Sequence, residues 1–394
     1  EYIMRDLIKR ILKEEVGVPR GIADSAKRLY LDLITRLKRK TVTGNSNFNL
    51  LFKNKDGKYS FADFKNFENI KIDFEFSGYD ENEKKSHSGI LVMGLGHDGE
   101  YQLDDGFKLI NINSDTITLS ISILIPTSIP EITNHDVIKT LTDNDKIIIS
   151  SLSHELKHAY DNYKKPTESL KTRASYSTYS NVRTGIREVD EFIYFLYFIT
   201  TMENLVRPSE IYSLMQEGNI SREDFLEFIL SNTTYQTLKK INNFSVDGMI
   251  SALKEKPEEI DLFISKNTNY DIPEDIDKKI ELFFNVLYIV LSKNILIRAL
   301  RILQDNFLEL LFGVSEKKEK FLDAYETEIL RFKNNPLRYF EFQEKKFKFV
   351  SEKMMKRLSK LYSLAKPNPI KLVNKDPMTF EMRMLESKPR NIKS

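Results

Sequence analysis

The sequence predicts a mostly helical α+β fold with a small antiparallel sheet ahead of its central helix. Apolar residues recur at helical spacing near the start of the chain and again from about residue 135 onward. Between them, short apolar runs are interrupted by Asn, Gly, Asp and Ser, which is typical of strands and turns. In the predicted central helix, HELKH at 154–158 places two histidines four positions apart.

Composition indicates a globular protein and excludes cysteine chemistry. The chain has 394 residues, of which 41% are hydrophobic and 30% charged, the profile of a soluble globular protein. A net charge of only +2 favours no class of partner. Cysteine is absent, which excludes disulfides, thiol catalysis and cysteine metal ligands.

No segment is expected to span a membrane. The apolar run 192–201 is about half the ~20 residues that a bilayer requires, and the longer run 282–303 is interrupted by polar side chains. The opening EYIMRDLIKRILKEE lacks the apolar centre and cleavage site of a secretory signal. We therefore expect a soluble chain with two buried helices at these positions.

The first two regions differ in their periodicity. Residues 1–40 predict an N-terminal arm of two amphipathic helices, whose basic faces are more typical of solvated surface than of a partner contact. Residues 41–130 predict the β-rich part. Its clearest strand is TITLSISILIP, in which Ile and Leu alternate with smaller residues from Ile117 onward until Leu124, which predicts one buried face.

The rest of the chain is predicted to be helical. Thr142 and Asp145 have the spacing of a capping box at the start of the HELKH helix. Its buried flank is predicted to carry Ile147, Ile148, Leu152 and Leu156. EVDEFIYFLYFITTMENL predicts a buried helix because it is apolar nearly all round. The resulting domains are 1–40, 41–320 (helical from 131) and 321–394, the last with a long helix from about Leu337 to Ala365 and an extended tail.

The spacing of HELKH suits a metal ion. On a helix, His154 and His158 project from one face and can share one cation. Glu155 is offset from His154 by about 100°, so it can reach a metal-bound water without ligating the metal itself. A catalytic zinc takes three protein ligands and a water. The alternative is a helix with two solvent-facing histidines.

The segment HELKHAYD resembles the active-site helix of zincin metallopeptidases. It lacks the glycine and third histidine of the extended metzincin signature, so it is more similar to the gluzincin branch. That resemblance implies a glutamate on a later helix as third ligand, and an edge strand, here near residues 117–125, that binds peptide by β-addition. The helices rich in Lys and Asn resemble those of uncharacterised bacteriophage proteins. The sequence does not assign a location, and the two that fit are cytoplasmic and virion-associated.

Four glutamates are candidates for the third ligand. Glu203 is preferred because it follows an apolar run, where a buried carboxylate needs a partner. Arg207 could then hold its second oxygen, although a plain Glu203–Arg207 ion pair is the alternative. Glu210 is the next candidate. The last two, Glu188 and Glu191, have a sufficient structural role at a helix start.

Supporting roles are assigned to fewer residues. Asp161, one turn beyond His158, could orient it or simply contact Lys157 or Lys164. Donors for a developing oxyanion are sought among four side chains: Tyr176, Tyr179, Tyr212 and Arg207. Of the other three histidines, His135 could line the cleft, whereas His87 and His97 are expected in exposed turns.

These features lead to a zinc-dependent peptidase in which Glu155 activates a zinc-bound water. The alternative is a structural or interaction component of a larger assembly, such as a phage virion, that retains a zincin-like domain and contacts partners through the N-terminal helices and C-terminal tail. Nucleic-acid binding is the least favoured function, because the basic helices belong to no recognised module.

Overall fold

The computed structural model describes most, but not all, of the chain. The described residues are 17–39, 46–65, 67–80, 89–98, 101–103, 109–112, 115–129, 131–164, 175, 178–302 and 331–365. The predicted helix before residue 17, His87, Tyr176 and the C-terminal tail lie outside them.

Helices dominate the described residues, which confirms the predicted α+β class. The helices are α1 Ile22–Leu37, α2 Asn134–Asp143, α3 Asp145–Lys164, α4 Arg187–Phe198, α5 Thr201–Glu217, α6 Phe225–Ser231, α7 Thr233–Asn242, α8 Val246–Lys254, α9 Pro257–Asn267, α10 Ile276–Ile302 and α11 Pro336–Ser359. The strands are β1 Phe48–Lys53, β2 Asn69–Tyr79, β3 Leu91–Asp98, β4 Tyr101–Leu103, β5 Leu109–Ile112 and β6 Thr116–Pro126. Short 3₁₀ turns occupy Lys55–Gly57 and Lys360–Leu364.

The main sheet is mixed rather than antiparallel. Its four strands lie in the order β1-β2-β6-β3. The central pair β2–β6 is parallel, with Ile72 opposite Leu119, while β1 and β3 run antiparallel to their neighbours. A parallel pair needs a long crossover, and here the chain between β2 and β6 supplies it. Alternation within one strand cannot reveal this direction.

The prediction that residues 117–125 form a free edge is wrong. These residues lie in β6, which pairs with β2 on one side and β3 on the other. Its backbone groups are therefore already hydrogen-bonded. The prediction for His97 is also wrong, because this residue lies within β3 opposite Leu119 and not in a turn.

The core joins the sheet to the first, third and last helices. In β6 the alternating residues from Ile117 to Ile125 are buried, as their pattern predicts. They belong to one apolar cluster with Leu33 of α1, Leu156 of α3 and Phe347 of α11. The predicted division at residues 40 and 320 stays a prediction.

The start of the HELKH helix differs from the prediction. The capping box belongs to α2, where Thr133 and Asp136 cap each other's backbone. Thr142 lies in the last turn of α2, and its hydroxyl donates to the Ile138 carbonyl at 2.9 Å. On α3, Ile148, Leu152 and Leu156 are buried, but Ile147 is 59% exposed because it lies on the opposite side of the first turn.

The apolar stretch after residue 187 forms two helices, not one. Helix α4 ends at Phe198, and α5 begins at Thr201 after Thr200, whose side chain accepts a hydrogen bond from the Glu203 amide. The polar cap ends one helix and starts the next. The predicted long C-terminal helix corresponds to α11 and the following 3₁₀ turn. Among the described helices, none is long and apolar enough to cross a bilayer.

Candidate metal centre

Helix α3 brings the two histidines of HELKH together. Apolar residues at helical spacing, including Leu152 and Leu156, fix the helix against the core. His154 and His158 are 8% and 6% exposed, and their Nε2 atoms lie 3.1 Å apart. Both rings therefore present a nitrogen to the same point, as the spacing predicts. The alternative of two solvent-facing histidines is wrong.

Helix α5 supplies a carboxylate to that point. Glu203 lies in the first helical turn, where the helix dipole favours a negative charge, and it is fully buried. Its Oε1 is 3.4 Å from Nε2 of His158 and 3.7 Å from Nε2 of His154. The two helices approach closely because small residues meet there, with the Ser153 hydroxyl 3.4 Å from the Ser209 carbonyl.

These three residues could hold a metal ion. One ligand atom from each of His154, His158 and Glu203 lies within 4.8 Å of the others. Oε1 of Glu203 is buried and has no hydrogen-bond partner in the part of the chain that the structure describes. A buried carboxylate oxygen without a donor is rare, and a cation bound between the three atoms would satisfy it.

The electrostatics of the group are those of a buried charge cluster. Burial alone would raise the pKa of Glu203, but Arg207 and His154 outweigh it and hold the pKa well below its usual range. Burial alone would lower the pKa of His154, but the carboxylates of Glu203 and Glu210 outweigh it and raise the pKa to about 10. The carboxylates around His154 therefore favour a positive charge at this point, which a bound cation could also supply.

Arg207 and Glu210 lie behind the three candidate ligands. Arg207 donates from Nη2 to Oε2 of Glu203 and from Nη1 to Oε2 of Glu210, the latter at 2.9 Å. The same Glu210 oxygen lies 3.1 Å from Nδ1 of His154. Glu210 therefore contacts the far nitrogen of His154 and not the point where the Nε2 atoms converge. Burial raises its pKa, but Arg207 and His154 outweigh burial and lower it to about 2.

Glu155 follows His154 directly and lies at the same site. It is 8% exposed, and burial raises the pKa of its carboxyl above the ordinary value. A carboxyl with a raised pKa is a stronger base than an ordinary carboxylate. This is the property that a general base beside a metal requires.

The other candidate ligands lie elsewhere. Glu188 pairs with Lys256 at 2.5 Å, and Glu191 lies 3.9 Å from Lys240. Asp161 accepts a hydrogen bond from Lys157, which is the ordinary contact considered as its alternative role.

Of the remaining predicted donors and cleft residues, Arg207 contacts the candidate ligands. The Tyr179 hydroxyl lies 3.1 Å from that of Tyr339, and Tyr212 is buried in the core. The guanidinium of Arg207 is engaged by two carboxylates. His135 is exposed in the first turn of α2.

One contact was missed by sequence reasoning, namely that Glu210 pairs with His154. A signal for it was present, because Glu203, Arg207 and Glu210 recur at helical spacing and share one face of α5. When the three residues are considered one at a time, each is expected to be only a metal ligand or one partner of an ion pair. Considered as one face, they predict a carboxylate on either side of a shared arginine.

No family model matches this chain, and neither the curated proteins nor the solved structures include a significant match. Zincin resemblance, peptidase activity, virion assembly, nucleic-acid binding and location therefore stay predictions. Function is inferred from the geometry of the metal centre itself.

Proposed function

We propose that the protein is a zinc-dependent metallopeptidase. The observation that carries this proposal is the triangle formed by Nε2 of His154, Nε2 of His158 and Oε1 of Glu203. Its edges are 3.1, 3.4 and 3.7 Å. Tetrahedral zinc with bonds of about 2.0–2.1 Å separates its ligand atoms by about 3.3–3.4 Å, so these donors need only small shifts to bind it.

The donor set favours zinc over the hard cations. Two imidazoles and one carboxylate are the ligands of several catalytic zinc sites, which keep a fourth position for water or substrate. Calcium and magnesium instead prefer six or more oxygen ligands. The site offers one carboxylate oxygen among three converging atoms, which does not meet that preference.

Peptide hydrolysis follows from the residues around the group. Bound zinc would lower the pKa of a water ligand and polarise a substrate carbonyl. Glu155 would accept the proton from that water and pass it to the leaving amine, because burial raises its pKa toward the working range of a general acid and base.

A peptide has a suitable edge beside the catalytic helix. Among the described residues, β3 is hydrogen-bonded to a main-sheet neighbour on one side only. It also contacts α3, the helix of His154 and His158. Strand addition to β3 would align an extended peptide with the site. This edge replaces β6, which is paired on both sides.

The test is Glu155→Gln, with Glu352→Gln as the matched control on an exposed position of α11. We expect about one zinc per chain in both variants and in the wild type, measured by mass spectrometry. Cleavage of a peptide library should fall by about 10²–10⁴-fold in Glu155→Gln and remain unchanged in the control. Equal turnover in Glu155→Gln would contradict the role of Glu155. A wild type that binds no zinc would contradict the proposed function.

A further inference from the structure

The candidate ligands and the two groups behind them form a closed ring of contacts. The Nε2 atom of His154 faces the point where the three candidate ligand atoms converge, which we call the metal point. The Nδ1 atom of the same ring faces Glu210. Glu210 contacts Arg207, Arg207 contacts Oε2 of Glu203, and Oε1 of Glu203 returns to the metal point. The guanidinium also lies 4.9 Å above the ring of Phe198, which holds its plane in place.

The two oxygens of Glu203 are treated differently by this ring. Oε2 accepts a charge-assisted hydrogen bond from Arg207, whereas Oε1 is buried, has no hydrogen bond of good geometry among the described residues, and lies 3.4 and 3.7 Å from the two Nε2 atoms. A carboxylate can bind a metal through one oxygen or through both. Oε1 is the oxygen that faces both histidines, and Oε2 is oriented toward Arg207, so binding through both oxygens would compete with a buried ion pair.

The other half of the ring fixes His154. An imidazole that donates its Nδ1 proton to a carboxylate presents a lone pair at Nε2. Glu210 accepts at 3.1 Å from Nδ1 and is itself held at 2.9 Å by Arg207. One guanidinium thus steadies two candidate ligands, one directly and one through Glu210.

From this ring we infer that Arg207 is a positioning residue that makes Glu203 a single-oxygen ligand and keeps the fourth coordination position open for water or substrate. The inference rests on the metal centre of the proposed function. It is more specific than an ion pair that only neutralises Glu203, because a plain ion pair predicts no change in the number of metal ligands when it is removed.

Cobalt(II) provides the test, since its visible absorption is stronger with four ligands than with five. We would titrate the full-length wild type and Arg207→Met with cobalt and record the spectrum and the affinity. The wild type should give an intense four-coordinate spectrum. In Arg207→Met the freed Oε2 should add a fifth ligand, so the absorption weakens, and cobalt affinity should fall by about 10–100-fold.

Two further variants make the result specific. Arg207→Lys keeps a cation in the pocket, so it should fold even if Arg207→Met does not, but one ammonium cannot bridge both carboxylates as a guanidinium does. We expect its spectrum to weaken as well, with an affinity between those of wild type and Arg207→Met. Arg338→Met removes an exposed arginine from α11 and should leave spectrum and affinity unchanged. Folding of each variant is checked by circular dichroism.

The outcomes separate this inference from the proposed function. A four-coordinate spectrum that persists in a folded Arg207 variant overturns the positioning role and leaves the peptidase proposal intact. A spectrum that changes as expected, in a protein that cleaves no peptide, supports the role of Arg207 and overturns the peptidase. A folded wild type that binds no cobalt overturns both.

Discussion

Helix α3 carries buried charged groups on two of its sides, and only one of them has the features of a metal site. On one side His154 and His158 meet Glu203 of α5. On the other, Lys157 pairs with Asp161, and the Arg357 guanidinium of α11 interacts electrostatically with the same carboxylate. Both pairs on α3 are four residues apart. Lys157 is as buried as the histidines, at 4% exposed, while the Asp161 side chain is 17% exposed.

The difference lies in the balance of donors and acceptors. On the Lys157 side, an ammonium donates to Asp161 and a guanidinium interacts electrostatically with the same carboxylate, so cations outnumber the carboxylate and no further cation is needed. On the histidine side, two ring nitrogens and Oε1 of Glu203 converge, and the Arg207 donors point to the other oxygens. Burial of charge therefore does not identify a metal site. An unpartnered carboxylate oxygen does not identify one either, because Oδ2 of Asp161 also has no hydrogen-bond partner among the described residues. What distinguishes the histidine side is that three possible ligand atoms converge there.

The largest predicted effect is a loss of metal affinity, and one substitution on each side of α3 tests it. Glu203→Ala removes a proposed ligand, so metal affinity should fall by more than about 100-fold, beyond the usual effect of a residue that only supports a ligand. Asp161→Ala should leave metal content unchanged. Each substitution removes a buried charge-assisted hydrogen bond, so each should lower the unfolding free energy of the metal-free protein by about 2 kcal/mol.

The comparison needs metal content by mass spectrometry and urea unfolding of the same metal-free samples. Asp161→Asn is the matched variant for the second side, because it removes the charge of the carboxylate and keeps its volume and one acceptor for Lys157. If Asp161→Ala lost the metal as Glu203→Ala does, the two sides would not be independent. Retention of one metal per chain in Glu203→Ala would exclude Glu203 as a ligand.

A smaller effect is predicted from pH. In the metal-free protein the pKa of His154 is raised to about 10, so near neutral pH its proton must leave before Nε2 can bind a cation. Metal affinity should therefore increase with pH, by about tenfold per unit when one proton is displaced. Chelator competition at pH 6, 7 and 8 measures this slope, and an affinity independent of pH would contradict it.

The raised pKa of His154 has the opposite effect on folding stability, which should fall as pH rises while metal affinity increases. A histidine whose pKa is raised on folding stabilises the protein fully below its unfolded value, about 6.5, and loses that contribution as pH rises through the folded value, about 10. Metal-free protein should become less stable over this interval, while the metal complex forms more readily. Urea unfolding of metal-free samples across the interval would show whether the stability falls.

Local spacing predicted the parts of the site that lie within one helix. His154, Glu155 and His158 needed only the helical repeat, and the buried face of β6 needed only alternation. The sheet order was not predictable in this way, because strand direction depends on a crossover between distant segments. For the same reason the free edge was assigned to β6 and not to β3.

Contacts between helices were the second feature that the sequence could not predict. The contact between Ser153 of α3 and Ser209 of α5 cannot be predicted from the sequence alone. This contact brings the two helices close enough for Glu203 to approach both histidines. The break at Thr200 was also missed, since the apolar run continues across it. That break starts a new helix and places Glu203 in its first turn, where its charge is favoured.

The smallest predicted effect concerns the two glutamates of α4, which the sequence ranked below Glu203 and Glu210 as ligands. Glu188 pairs with Lys256 at 2.5 Å, with both side chains about one-third exposed, and Glu191 lies 3.9 Å from an exposed Lys240. Exposed pairs of this kind contribute about 0–1 kcal/mol. Glu188→Gln should therefore lower the unfolding free energy by about 0.5 kcal/mol, and Glu191→Gln by less. Metal content should stay at the wild-type value in both, because neither carboxylate belongs to the converging group. A variant that lost its metal would show that Glu188 or Glu191, and not only His154, His158 and Glu203, is needed to bind it. Convergence of the three atoms would then no longer explain why one side of α3 binds metal and the other does not.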